Sequence, residues 1–279
     1  MAPISTTIEF FASGYCEAHA NVVNPISGKG KAKFYAVWAL IFIPEIGYIM
    51  FDTGYSEHFQ EVTKSFPARF YRWATPVFLK ENESAKSILK AKGISTDEIK
   101  YIIISHFHAD HIAGLRDFDK ATFICTQSSL EEVKKLSGLK AVSKGILHGL
   151  LPNNFYERVT TIEQLASSIE IDTFGITHYH LFNNQCFELI LVSGHAKGML
   201  GFIFKNDDQH LVFATDAAWS TETFEKEILP RKIVKLFFDS WTDFVVTQSK
   251  LRAYKKLNPS CDILFTHCPD TLNFISNEI

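Results

Sequence analysis

No Cys-x-x-Cys pair occurs among the five cysteines, at positions 16, 125, 186, 261 and 268, and their odd number leaves any full pairing incomplete. That excludes a thiolate zinc ribbon and argues against a disulfide framework, so the thiols read as buried small side chains in a reducing, cytoplasmic setting. Surplus positive charge is missing too: 28 basic against 31 acidic residues give a net charge of −3, too little to hold a phosphate backbone by field alone. A nucleic-acid partner is not expected. The longest apolar run, Phe34 to Ile43, meets Pro44-Glu45 before it could span a bilayer. Met1 to Phe11 has neither a basic leader nor a small-residue cleavage site, and no membrane partner is expected. Repeats, low-complexity tracts and Pro/Ser/Gly linkers are also lacking, which leaves one domain over residues 1–279 as the simplest organisation.

What the chain does have is apolar bulk, 46% hydrophobic and 14% aromatic residues in a length of 279, enough for a large core. Strand-like segments recur at 8–11, 33–43, 47–51, 99–105, 122–125, 169–174, 186–192, 199–205, 209–214 and 262–266. Helix-like segments lie between them, at 57–74, 83–92, 111–118, 128–136, 224–238 and 242–256. Strands clustered at both ends with helices between them indicate an α/β class. Within the helical, aromatic-rich stretch 55–95, Phe59, Phe66, Phe70, Tyr71, Trp73 and Phe78 make an ordinary core-facing helix or a flap lining an apolar pocket.

The chemistry sits at strand ends. After the apolar strand Tyr101 to Ile104 comes Ser105-His106-Phe107-His108-Ala109-Asp110-His111. Alternate side chains of an extended segment share a face, so His106 and His108 point one way, and a turn into helix at Ala109 brings Asp110 and His111 round the same centre. Four imidazole or carboxylate donors in six residues suit a borderline cation such as zinc. Gly194-His195, Thr215-Asp216 and Thr266-His267 repeat the arrangement, each a strand end carrying one donor. The glycine before His195 would let the backbone approach a metal closely. Asp52-Thr53-Gly54 adds a strand-end carboxylate placed to orient a ligating imidazole.

His-x-His-x-Asp-His after a hydrophobic strand, with Asp-Thr-Gly upstream and Gly-His, Thr-Asp and Thr-His downstream in that order, resembles the metallo-β-lactamase-fold hydrolase superfamily from about Phe34 to His267. The resemblance implies a four-layer αβ/βα sandwich, two mixed sheets flanked by helices, with the metals at one edge. It implies His106, His108 and His195 on one divalent ion, Asp110, His111 and His267 on the other, and Asp216 bridging them. The ions would be zinc, with iron or manganese as alternatives.

His108 stands where the di-iron oxygen-reducing branch carries glutamate, and Asp216 where the penicillin-cleaving branch carries cysteine. Only twelve residues come after His267, too few for the helical extension of glyoxalase II-like enzymes. The nearest group is N-acyl homoserine lactonase-like. It implies that a hydroxide bridging the metals attacks a lactone or similar ester carbonyl, with Asp110 as the catalytic proton shuttle. A mononuclear Fe(II) sulfur dioxygenase, a phosphodiesterase and a non-catalytic small-molecule-binding protein stay as alternatives.

One departure concerns the tyrosine that lactonases of this group place three residues after the bridging aspartate. Here that position is Trp219, which either donates through its indole N–H or walls an apolar pocket; Tyr15, Tyr55, Tyr156 or Tyr179 could otherwise supply the hydroxyl, or the substrate differs. The expected partner is a small molecule with an apolar portion, walled by Phe66, Phe70, Trp73 and Trp219, and a homodimer stays open. Cys16 and His19 either cap the substrate entrance or form a surface turn.

Overall fold

Strand β2 (Lys31–Ile43) shows why the fold has layers. Its alternation puts Phe34, Ala36, Trp38 and Leu40 in one buried cluster and Val37, Ala39, Ile41 and Ile43 in another, so the strand is covered on both faces. The structure, a computed structural model, describes residues 5–275. The first sheet has the order β4-β1-β2-β3-β5-β6-β7. It joins β1 (Thr7–His19), β2, β3 (Gly47–Phe51), β4 (Val77–Phe78), β5 (Ile99–Ile103), β6 (Thr122–Cys125) and β7 (Val159–Thr161). The second runs β13-β12-β11-β10-β9-β8. Its strands are β8 (Ser168–Ile171), β9 (Thr177–His180), β10 (Phe187–Leu191), β11 (Leu200–Lys205), β12 (His210–Phe213) and β13 (Asp262–Leu264).

Both sheets are mixed: β3, β5, β6 and β7 are parallel neighbours in one, and β12 and β13 in the other, while the remaining pairs are antiparallel. Phe10, Val37, Ile41, Phe51 and Ile103 from the first sheet meet Phe187, Leu189, Phe202, Leu211 and Phe213 from the second in one buried cluster between the sheets. Phe51, Phe202 and Phe213 pack edge-on or tilted with ring centroids 4.9 to 5.8 Å apart. Each such ring stabilises the interlayer by about 1.5–3 kcal/mol through burial. The outer face of the first sheet packs on helices Ala85–Ala91 and Gln127–Lys135 through Ile88, Leu89, Leu130 and Val133. The outer face of the second takes Leu251 of helix Trp241–Leu257 and Phe224. The result is the four-layer αβ/βα sandwich with two mixed sheets. No helix among the described residues is long and apolar enough to cross a membrane.

Three expected helices are broken, each for a local reason. The stretch 57–74 divides into helices Glu57–Val62 and Ala68–Ala74, because Pro67 lacks an amide hydrogen and biases the residue before it away from helix. The stretch 224–238 is broken at Glu227, whose φ of 56° follows the end of helix Thr221–Glu225, and resumes only as a 3-10 turn at Lys232–Leu236 after Pro230. The stretch 111–118 becomes helix Ala109–Ile112 and a 3-10 turn at Leu115–Asp117; between them Gly114 donates its N–H to Thr53 Oγ1 at 3.0 Å. Strands β4, β7 and β9 carry no strand signal in the sequence, being two to four residues long, with Thr-His-Tyr-His in β9 offering no apolar alternation. Cys16 and His19 belong to β1, so the segment is strand and not a surface turn.

Candidate metal centre

Five strands of the two sheets end at one edge, and just beyond each end a polar side chain turns inward. β3 delivers Asp52, β5 the run His106 to His111, β10 His195, β12 Asp216 and β13 His267. The backbone is tied there by cross-strand bonds: Asp52 N–H donates to Ile103 O at 2.8 Å, Thr53 N–H to His111 O at 2.8 Å, and Thr266 N–H to Thr215 O at 3.1 Å. Asp52 and Thr215 hold φ of 62° and 46°, a region that side chains with a Cβ rarely adopt. At both points the chain leaves a strand and turns at once, which aims Asp52 and Asp216 inward instead of along the sheet.

The donors converge. His106 Nε2 and His195 Nε2 each lie 3.0 Å from His108 Nδ1. Asp216 Oδ2 lies 3.0 Å from His267 Nε2 and 3.2 Å from His195 Nε2, and Asp110 Oδ2 lies 3.3 Å from His267 Nε2. Three groups have all their ligand atoms within 4.8 Å of one another: His106, His108 and His195; His106, His111 and Asp216; and Asp110, His111 and His267. All seven residues named from the sequence are thus brought together, and the first and third groups coincide with the two ligand sets that the resemblance implies.

The chemistry of this cluster fits a cation better than it fits protons. Burial drives His106 and His195 well below the ordinary histidine range, which keeps their rings neutral, the form that ligates metal. Three ring nitrogens that crowd one point cannot all be satisfied by the hydrogens two neutral neighbours can offer. His111 Nε2 and Asp216 Oδ1 face each other at 3.5 Å, both buried and both without a hydrogen-bond partner. Around His111, burial lowers the pKa, but the carboxylates of Asp110, Asp52 and Asp216 outweigh it and carry it to about 10. The three carboxylates that raise it make a negative field in which a cation is stabilised.

The support behind the ligands is equally specific. Asp52 is fully buried and accepts from Ser105 N–H at 2.8 Å and Ser105 Oγ at 2.7 Å, while His111 Nδ1 sits 2.7 Å from its Oδ2. Its role toward an imidazole is therefore visible as a contact with His111. His267 Nδ1 donates to Tyr35 O at 2.8 Å, which leaves Nε2 turned to the cluster. Gly194 serves a different purpose from the one its position suggests. A Cβ there would stand 2.2 Å from Phe244 N, so the glycine admits the start of helix Trp241–Leu257, not a metal, and Ser240 N–H donates to Gly194 O at 3.0 Å.

A cavity of about 890 Å³ opens over Asp110, Asp216, His108, His195 and His267. Its walls are mostly apolar, and Phe70, Trp73 and Trp219 are among them. Trp219 meets the His195 ring edge-on at 5.8 Å and leans on Phe238 at 5.5 Å. Phe66 is not part of the wall; it packs on Phe70 and Trp73 from outside at 4.8 and 5.7 Å. Phe59 points into the core against Tyr55. Of the tyrosines considered for a hydroxyl, Tyr15, Tyr55, Tyr156 and Tyr179 all lie outside the lining, whereas Tyr71 is in it. Cys16, buried, and His19, exposed, both line the cavity. Gly145 is a residue beside the cluster that the sequence does not mark: a Cβ on it would stand 2.6 Å from the His108 ring, so it lets residues 138–145 pack against a candidate ligand. Its only sequence signal is a glycine after a short basic helix, which is too common to single it out.

The family model described as Metallo-beta-lactamase superfamily matches residues 33–257. An N-acyl homoserine lactonase of Bacillus cereus is 23% identical over 220 residues, 78% of each chain. The N-acyl homoserine lactonase AttM of Agrobacterium fabrum is 24% identical over 193 residues, 69% of this chain and 66% of that one. Among solved structures, an N-acyl homoserine lactone hydrolase with the product N-hexanoyl-L-homoserine bound at its catalytic metal center superposes with a TM-score of 0.74 at 19% identity. The match covers 97% of this chain and 96% of that one. AidC, a dizinc quorum-quenching lactonase, superposes with a TM-score of 0.61 at 15% identity, covering 95% and 88%.

Proposed function

The chain belongs to the metallo-beta-lactamase superfamily, and from that premise we infer a metal-dependent hydrolase and propose that it opens a lactone or a similar ester carrying an apolar portion. The observation that carries this reading is the mostly apolar cavity of about 890 Å³ whose floor is the donor cluster. The lactonases similar to this chain support the same substrate class.

His106, His108 and His195 would hold one ion, Asp110, His111 and His267 a second, and Asp216 would reach both. Zinc suits this imidazole and carboxylate set. Two such ions, when bound, would supply hydroxide near neutral pH, by lowering the pKa of water from ~15.7 to about 7, and a Lewis acid for the acyl oxygen.

The remaining work falls to the chain's own groups. Asp110, at the cavity floor, takes the proton released when water adds to the carbonyl and returns it to the leaving ring oxygen, which departs as a hydroxyl. Asp52 keeps His111 oriented from behind. Trp219, Phe34 and Phe238 exclude water on one side of the cavity, with Phe70 and Trp73 as further wall for an acyl substituent. Five free thiols, four of them buried, support a reducing, cytoplasmic setting.

A panel of lactones, linear esters, thioesters and phosphodiesters, offered to zinc-loaded protein, tests the reading. Turnover of lactones or esters bearing an acyl chain is expected. Cleavage of phosphodiesters without lactones or esters would replace it with the phosphodiesterase alternative.

A further inference from the structure

We propose that the rim of the cavity is a docking surface for an anionic lipid bilayer. Four segments surround the cavity, at 20–33, 63–80, 137–145 and 228–238, and each contributes residues to its wall. They form a closed ring. Cys16 of β1 pairs with Val77, and Glu17 N–H donates to Pro76 O at 3.2 Å, which joins the first segment to the second. Helix Ala68–Ala74 packs on helix Gly138–Ser143, and Lys144 Nζ donates to Phe238 O at 2.9 Å. Arg231 closes the circuit through its N–H to Val22 O at 2.9 Å and its Nε to Asn21 O at 2.8 Å.

The charge of this ring opposes that of the molecule. Its 52 residues carry twelve lysines and arginines and no aspartate or glutamate, against seven carboxylates, Glu17, Glu61, Glu81, Glu83, Glu225, Glu227 and Asp239, within three residues of their ends. Lys31 and Lys80 are neutralised by Glu17 and Glu83, each at 2.9 Å, and the carboxylates of Asp110 and Asp216 lie below, at the cavity floor. The other ten cations have no ion-pair partner among the described residues.

The same ring gathers exposed apolar bulk. Of fifteen large hydrophobic side chains exposed among the described residues, nine lie on these segments. Each segment lifts at least one of them beyond 60% exposure: Ile26, Trp73, Leu139 and Leu236. Apolar tips interleaved with lysine and arginine suit the boundary between headgroups and acyl chains, where the tips bury and the cationic heads stay among phosphates. A second copy docking through the same face would set cation against cation across the symmetry axis. A soluble polyanion would satisfy the charge but leave Ile26 and Leu236 in water. The expectation of no membrane partner rests on the lack of a spanning segment; a surface contact of this kind needs none.

The test uses the metal-loaded full chain and vesicle sedimentation, a readout independent of turnover. The probes are vesicles of pure phosphatidylcholine and of phosphatidylcholine mixed with phosphatidylglycerol. Binding to the mixed vesicles alone is expected, weakening as salt rises. Two double variants, Lys232→Glu with Lys235→Glu and Ile233→Ser with Leu236→Ser, alter exposed residues outside the cavity wall, and an unchanged Tm is the condition for reading either. Each should lower vesicle partitioning by about ten-fold or more. No sedimentation with either vesicle, or binding that the serine variant leaves intact, would overturn the proposal. So would a dimer in solution that the serine variant dissociates, since the face would then belong to a second copy.

Discussion

Asp52 accepts three hydrogen bonds without touching the cavity, and a residue so placed acts through its neighbours. Asp52→Ala should weaken zinc affinity by about 10- to 100-fold, read by competition with a chelator, while leaving the apolar wall unchanged. Asp110→Asn should instead spare binding of an apolar ligand and lower kcat by at least ~10²-fold, the scale of general acid–base catalysis. Full turnover in the Asn variant with metal bound would remove Asp110 from the proton path.

His178 supplies a pH test remote from the donor cluster. Burial pushes its pKa down, but hydrogen bonds with Glu188 and Asp172, both at 3.2 Å, carry it net upward. A folded value above the unfolded ~6.5 means that this contribution is complete below about 6.5 and fades as pH rises through the folded value. His178→Gln should therefore lower Tm more at acidic than at alkaline pH, and an equal loss at both would contradict the assignment. His180 shares Glu188 at 3.5 Å and bounds the size of the effect.

At the scale of elements, the candidate donors were legible because each lies shortly beyond a strand end, so a run of sequence and a place in space coincide. His106 to His111 is the clearest instance. The wall was less legible, since Phe66, Phe70 and Trp73 look alike in sequence, and only the helix restarted after Pro67 decides that Phe70 and Trp73 face the cavity while Phe66 stacks outside. Tyr71 belonged to the aromatic stretch read as core helix or pocket flap, whereas Gly145 gave no signal, because its proximity to the site arises from packing between distant segments.

That difference predicts a graded response. Trp73→Ala or Phe70→Ala should raise KM for long-chain lactones by roughly ten-fold, the effect of losing ~1.4 kcal/mol of apolar burial, with little change for short chains. Phe66→Ala should do less. Gly194→Ala tests the junction between β10 and helix Trp241–Leu257: with φ of 132° and Phe244 N only 2.2 Å from the new Cβ, it should cost about 2 kcal/mol or more, seen as a fall in Tm.

For the whole molecule, two sheets share one aromatic layer and present the ends of five strands at one edge, so a rigid core fixes seven donors that loops alone would not hold. The basic rim and the acidic remainder of the chain give that edge a direction, outward through the cavity. The most direct test of the account is a zinc titration of metal-free protein, with ions bound per chain and the rate of lactone opening followed together. Activity that stays low through the first equivalent and rises with the second is the predicted result. Full activity at one ion per chain, with Asp110, His111 and His267 carrying none, would contradict it.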